Sequence, residues 1–298
     1  MEVVIPEHNF GIRIDMSQCL VDMKSSMECI LHKWTKLSPM NMDETDAISM
    51  CMLQMMICKL ESFFRIADID NNQENKQFRR MPDIETMSAI ARSIYEMAFM
   101  FHNIFVLPES DEEKQILLLL WKIRGFNNRI YSNDPYQNPE QQSRDKKEVE
   151  LFCKRIQDIT KELNISEKTI KQIQHAVDKG TSKILGYRFV KESNTIISFE
   201  PISFDKTEGL FKHKEKLVLY EMLSSHSHPS YLGVKHFDYM HNVNTAEIDR
   251  VKEYILQSAC FCSSKFMMDV CQVVKNGNEL REAIHPHIRF YVDIFNNM

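Results

Sequence analysis

The chain has 298 residues, 43% of them hydrophobic, with only 7 glycines, 9 prolines and a net charge of −5. So few breaking residues against that apolar content favour long helices over a sheet-rich fold, and the length suffices for one large or two modest domains. Acidic and basic residues are interspersed, so no global field draws the protein to nucleic acid or to an anionic membrane.

Leu20, Met23, Met27, Ile30 and Trp34 recur at alternating spacings of three and four and predict a first helix. After Ser38-Pro39, the residues Ile48, Cys51, Met52, Met55, Met56, Leu60 and Phe63 predict a second helix with these side chains inward, capped by Asp43 or Thr45. The polar stretch Asp68–Arg80 reads as a loop. Pro82-Asp83 then opens a third helix that turns Ile84, Met87, Ala91, Ile94, Ala98 and Phe101 inward. Ser110 to Glu113 has the form of a capping box ahead of the apolar run Ile116–Trp121. Tyr131–Arg144, rich in Asn, Asp and Pro, reads as a flexible polar connection.

Val149, Phe152, Ile156, Ile159 and Leu163 mark another helix, and Ser166–Lys179 a further one closed by Gly180. Gly186–Phe204 alone has strand character and predicts a hairpin around Ser193-Asn194. Lys212–Ser225 is helical by pattern. The longest helix starts at the cap Asn244–Glu247 and carries Ile248, Val251, Ile255, Ala259, Phe266 and Val270 to Gly277. A last helix holds Leu280, Ile284, Ile288 and Val292, with a kink expected at Pro286. The expected fold class is therefore all-α: a bundle of about eight or nine helices with at most one small β hairpin. An N-terminal helical subdomain, residues 1–80, packs on a main helical domain, residues 81–298.

The 19 methionines are expected to fill gaps between helices rather than line a groove. The eight cysteines include no Cys-x-x-Cys pair and predict reduced thiols and a cytoplasmic location. Met1–His8 carries neither the basic nor the apolar region of a secretory signal, and Ile116–Trp121 is too short to span a bilayer, so no membrane association is expected. No glycine-rich phosphate loop and no Gly-x-Ser-x-Gly elbow occurs.

Tyr220 to Ser230 concentrates chemistry: a phenol, several hydroxyls and the imidazoles of His226 and His228, closed by Pro229. Tyr220 and Ser224 are one helical turn apart, and only His228 keeps that phase, whereas His226 points elsewhere. Arg92 and Glu96 form the same i, i+4 relation on the third helix and can pair. Packed face to face, these two helices would bury Arg92, Glu96, Tyr220, Ser224 and His228 in one mutually hydrogen-bonded cluster. The pattern Arg92…Glu96 followed by Tyr220-x-x-Leu223-Ser224…His228-x-Ser230 resembles the uncharacterised helical bacterial family that carries domain of unknown function 5677. That resemblance covers roughly Asp83 to Met240 and implies a helical fold without an established activity.

Two further resemblances bear on catalysis. His226-Ser227-His228-Pro229 reproduces the core of the JAMM-type zinc isopeptidases, but Phe237 and Met240 stand where that pattern requires Ser and the Asp ligand. On a continuing helix, moreover, imidazoles two residues apart diverge by about 200° and cannot share an ion. Arg281-x5-His287 has the Arg-to-His spacing of the HEPN ribonucleases, helical proteins in which two such motifs meet across a homodimer and cleave RNA without metal. Pro286 interrupts the motif, and Glu282 follows the arginine.

Two functions are expected, neither needing a cofactor or a metal. One is an interaction or ligand-sensing protein, its ligand or protein partner unknown, in which Arg92, Glu96, Tyr220, Ser224, His226, His228 and Ser230 are structural or hold the ligand. The other is a metal-independent HEPN-type ribonuclease, a homodimeric defence or toxin effector acting on RNA. There the acid–base pair is Arg281 with His287, or comes from Ser224 and His228. A zinc hydrolase built on His226 and His228 is a third, weaker reading.

Overall fold

The computed structural model of the chain describes residues 15–37, 42–67, 83–131, 138–163, 165–179, 186–193, 195–202, 222–224, 231, 234–235, 238–239 and 245–297. Among these residues the helices are α1 (Met16–Leu37), α2 (Glu44–Ala67), α3 (Ile84–Phe105), α4 (Asp111–Ile130), α5 (Pro139–Glu162) and α6 (Glu167–Lys179), followed after the hairpin by α7 (Thr245–Val273), α8 (Gly277–Arg281) and α9 (Pro286–Asn297). Strands β1 (Gly186–Glu192) and β2 (Thr195–Ile202) pair antiparallel, Phe189 opposite Phe199, around a turn in which Ser193 takes a positive φ of 47°. The fold is all-α with one small hairpin, in line with the low glycine and proline content.

The hydrophobic residues of α1, α2, α3, α4 and α7 form a single buried cluster that includes Trp34, Phe63, Tyr95, Phe101 and Phe266. Helix α7 is its axis: it packs on α3, α1 and α2, and α8 and α9 fold back against it. The stripes on α1, α3, α7 and the last helices are buried at the positions that helical spacing selects. Residues 15–67 therefore share one core with the helices beyond Asp83.

Local chemistry sets the ends of the helices. Asp43 accepts from the Asp46 amide at 2.9 Å, Asp83 from Thr86 at 3.0 Å, and Ser110 from Glu113 at 3.2 Å, each satisfying an amide that has no partner within the helix. The capping box at α4 is displaced by one residue, because the Glu113 carboxylate accepts from the Glu109 amide at 3.1 Å and also holds Lys191 of β1 at 2.7 Å.

Four readings are corrected. Cys51 and Met55 of α2 face outward, since this helix is apolar on every side and its periodicity does not single out one face. Pro139–Arg144 is helical rather than a connection: Asn138 caps α5 by accepting from Glu140 at 2.9 Å, and Pro139 occupies the first turn, where its missing amide costs nothing. For the same reason Pro286 starts α9 and kinks nothing, so two helices stand where one bent helix was expected. The longest helix stops at Val273, short of Gly277, which begins α8. Gly180, Lys212–Glu221 and Asn244 lie outside the described residues.

Helices α4 and α5 are joined by a buried acid. Arg129 donates to Asp145 through Nε at 2.6 Å and Nη2 at 2.7 Å, and Gln141 adds a third bond at 2.7 Å. The Arg129 bonds hold the Asp145 carboxyl below its ordinary value of 3.8, with the burial of Asp145 acting in the opposite direction. A carboxylate with a depressed folded value stabilises above its unfolded value and loses that contribution as pH falls through the folded one. Asp145→Asn is therefore expected to lower the urea midpoint at neutral pH, with the gap to the native protein closing in acid below pH 3.8. A gap that persists unchanged in strong acid would show that charge is not the source.

Candidate functional site

The two halves of the Arg/Glu and Tyr/Ser/His pattern meet. Arg92 Nε donates to Glu96 Oε1 at 2.9 Å along α3, as the i, i+4 spacing demands, and Arg92 Nη1 donates to Ser224 Oγ at 3.3 Å, 132 residues away. Ser224 is helical together with Met222 and Leu223, and the fully buried Leu223 anchors these residues to the core. Because Oγ accepts from Arg92, the hydroxyl proton of Ser224 is directed away from the guanidinium.

This cluster is half-buried, not buried: the Arg92 and Glu96 side chains keep 22% and 33% of their exposure, which leaves them within reach of solvent and of a small solute. In such surroundings the ion pair itself adds only about 0.3–0.5 kcal/mol. Its contribution is to aim the Arg92 fork at Ser224. Tyr220, His226, His228 and Ser230, the remaining members expected from the sequence, lie outside the described residues.

Arg124 and Tyr187, which the sequence reading missed, are tied to Glu96 through the electrostatics of Arg124. Burial draws the Arg124 guanidinium of α4 below its ordinary value, while the Tyr187 hydroxyl and the Glu96 carboxylate oppose that shift, which places all three in one neighbourhood. Arg124 falls in phase with Leu117 and Leu120, and a charge on an apolar stripe was the available signal. Tyr187 belongs to β1, which Asn103 of α3 ties down by donating to the Tyr187 carbonyl at 3.0 Å. A Cβ at Gly186 would stand 3.1 Å from that amide nitrogen, so glycine lets the hairpin lie this close to α3. The site thus draws on α3 and on Ser224, with α4 and β1 both packed on α3.

A second polar group is structural. His102 of α3 meets Asp269 of α7 at 2.7 Å, and Asp269 keeps 1% of its exposure. Lys265 Nζ lies 3.1 Å from the other Asp269 oxygen, close enough for an ion pair though outside hydrogen-bond alignment. Each stands alone in an apolar run, His102 among Phe99, Phe101 and Phe105, and Asp269 among Phe266, Met267 and Val270. A buried imidazole and a buried carboxylate in such runs need partners.

The Arg281/His287 motif is assembled differently. Arg281 Nη2 donates to Asp293 at 3.3 Å, whereas His287 Nε2 faces Asp22 of α1 at 3.0 Å and its Nδ1 faces His285 Nδ1. Both side chains are about half exposed, and each answers to its own carboxylate. Among the described residues no group of three or more His, Cys, Asp or Glu side chains is placed to hold a metal ion. Neither a family model, nor a curated protein, nor a solved structure matches the chain.

Proposed function

We propose that the protein is a cytoplasmic ligand-sensing or interaction protein whose site is the half-buried cluster of Arg92, Glu96 and Ser224, in electrostatic reach of Arg124, with Tyr220 and His228 assigned to it by their phase in the sequence alone. The observation that carries this reading is the Arg92–Ser224 hydrogen bond, which joins two distant chemical segments at a place open to solvent. A network whose only task was to fix helix register would sit deeper and dry, as His102–Asp269 does. The guanidinium forks of Arg92 and Arg124 suit an anion that offers two oxygens side by side, so the ligand class is a small carboxylate- or phosphate-bearing molecule.

A thermal-shift screen of the purified chain against nucleotides, sugar phosphates and di- and tricarboxylates tests this. A binder is expected to raise the melting temperature of the native protein, and Arg92→Ala is expected to weaken its binding by about tenfold or more. A binder that holds Arg92→Ala and Ser224→Ala as tightly as the native chain would remove this cluster from consideration.

A second reading, a metal-independent HEPN-type ribonuclease acting on RNA, is favoured by the solvent exposure of Arg281 and His287 on neighbouring helices. It requires RNA cleavage in the presence of a chelator that is lost in His287→Ala. Cleavage that instead survives in His287→Ala but not in Ser224→Ala would move the chemistry to the α3 cluster.

A further inference from the structure

Helix α2 contains no charged residue from Ala47 to Cys58, and it is the one described helix long and apolar enough by composition to cross a membrane. A helix apolar on every side belongs in a fully buried setting. Yet only 39% of its most apolar window is buried. Its inner face, Met52, Leu53, Met56, Leu60, Phe63 and Phe64, is committed to the core, while Met55 on the outer face keeps 52% of its exposure. We infer that this outer face is covered by the same face of a second copy, in an antiparallel two-fold pairing of α2 with α2. This assignment stands apart from the ligand site on α3.

The order of the exposed residues carries the argument. They are Glu44, Ala47, Cys51, Gln54, Met55, Cys58, Ser62 and Arg65. A two-fold axis between Gln54 and Met55 sets each against its counterpart: Glu44 on Arg65, Ala47 on Ser62, Cys51 on Cys58, and Gln54 on Met55. The centre is uncharged, with Ala47, Cys51, Cys58 and Ser62 small enough for close helix approach on either side of the longer Gln54 and Met55, and each end matches an acid to a base. The Glu44 and Arg65 side chains are 62% and 76% exposed, and each already meets a partner within the chain, Lys122 and Glu61, so the intermolecular pair extends an existing ion pair at each end. Isologous pairing needs such self-complementarity. The two ends lie roughly 30 Å apart along α2, so both terminal pairs form only at a shallow crossing near 20°.

A membrane is the poorer occupant. The exposed face carries no Trp, Phe or Leu to insert and only one basic residue, whereas interfacial helices combine bulky apolar and several basic side chains. A single helix face is smaller than a standard interface of about 800 Å² per partner, so a weak, concentration-dependent dimer is expected.

Sedimentation equilibrium of the full chain over a concentration series tests the assignment, with circular dichroism as the control for folding. The native protein is expected to form a dimer, and Met55→Lys, which brings two ammonium groups to the axis, is expected to weaken it by about tenfold or more. Glu44→Arg and Arg65→Glu are each expected to weaken it as well, and the double variant to restore it. Overturning results are a monomer at every concentration, a dimer indifferent to Met55→Lys, a double variant no tighter than the singles, or a monomer that binds vesicles of phosphatidylcholine and phosphatidylserine through Met55.

Discussion

Replacing Asp269 with alanine is expected to destabilise the protein by about 3 kcal/mol or more, because it removes a buried carboxylate and leaves its polar partners behind. The carboxylate has lost nearly all its water and has received in exchange the His102 imidazole at 2.7 Å and the Lys265 ammonium at 3.1 Å. Alanine removes the hydrogen-bond partner of His102 and the counter-charge of Lys265, and it opens a void between α3 and α7 in the core. Lys265 can turn outward, since it is partly exposed, but His102 cannot. The double variant His102→Leu/Asp269→Leu separates the two contributions. Once both polar partners are gone the site is apolar, and a smaller loss than in Asp269→Ala is expected. Urea denaturation of the three proteins measures this, and a loss under about 1 kcal/mol for Asp269→Ala would show that the pair is not load-sharing in the folded state.

Gly277→Ala is expected to cost as much, through the backbone alone. A Cβ at this position would stand 1.7 Å from the Cys271 carbonyl oxygen and 2.7 Å from its carbon. Neither atom can swing aside like the end of a side chain, so the last turn of α7 must unwind or α8 must move off it. The preceding Asn276 already holds a left-handed φ of 61°, which leaves little slack in the turn. A loss of about 4 kcal/mol is expected, seen as a fall in melting temperature of roughly 8–16 °C. The contrast is Gly125→Ala on the exposed face of α4, where nothing lies within 4 Å of the added Cβ. There the same substitution removes only backbone freedom from the unfolded chain and is expected to stabilise by about 0.4–1 kcal/mol. Equal melting temperatures for the two variants would refute the steric account.

Much of the fold was legible because helical spacing is a local property. Leu20 to Trp34, Ile84 to Phe101 and Ile248 to Val270 each separate an apolar face from a polar one, and each is buried accordingly. The caps at Asp43 and Ser110 were legible for the same reason, since a capping bond spans only three residues. Helix α2 was half legible. Its type was plain, but with apolar residues on every side nothing in its periodicity said that Cys51 and Met55 would be left outside.

The candidate site divides in the same way. The Arg92–Glu96 pair lies within one helical turn, and the amino-acid sequence by itself determined it, together with the all-α class and the hairpin. The bond from Arg92 to Ser224, the bond from Asn103 to the Tyr187 carbonyl, and the meeting of His102 with Asp269 were decided only by the tertiary structure. Each depends on how one element rotates and crosses against another, and spacing along the chain carries no information about that angle.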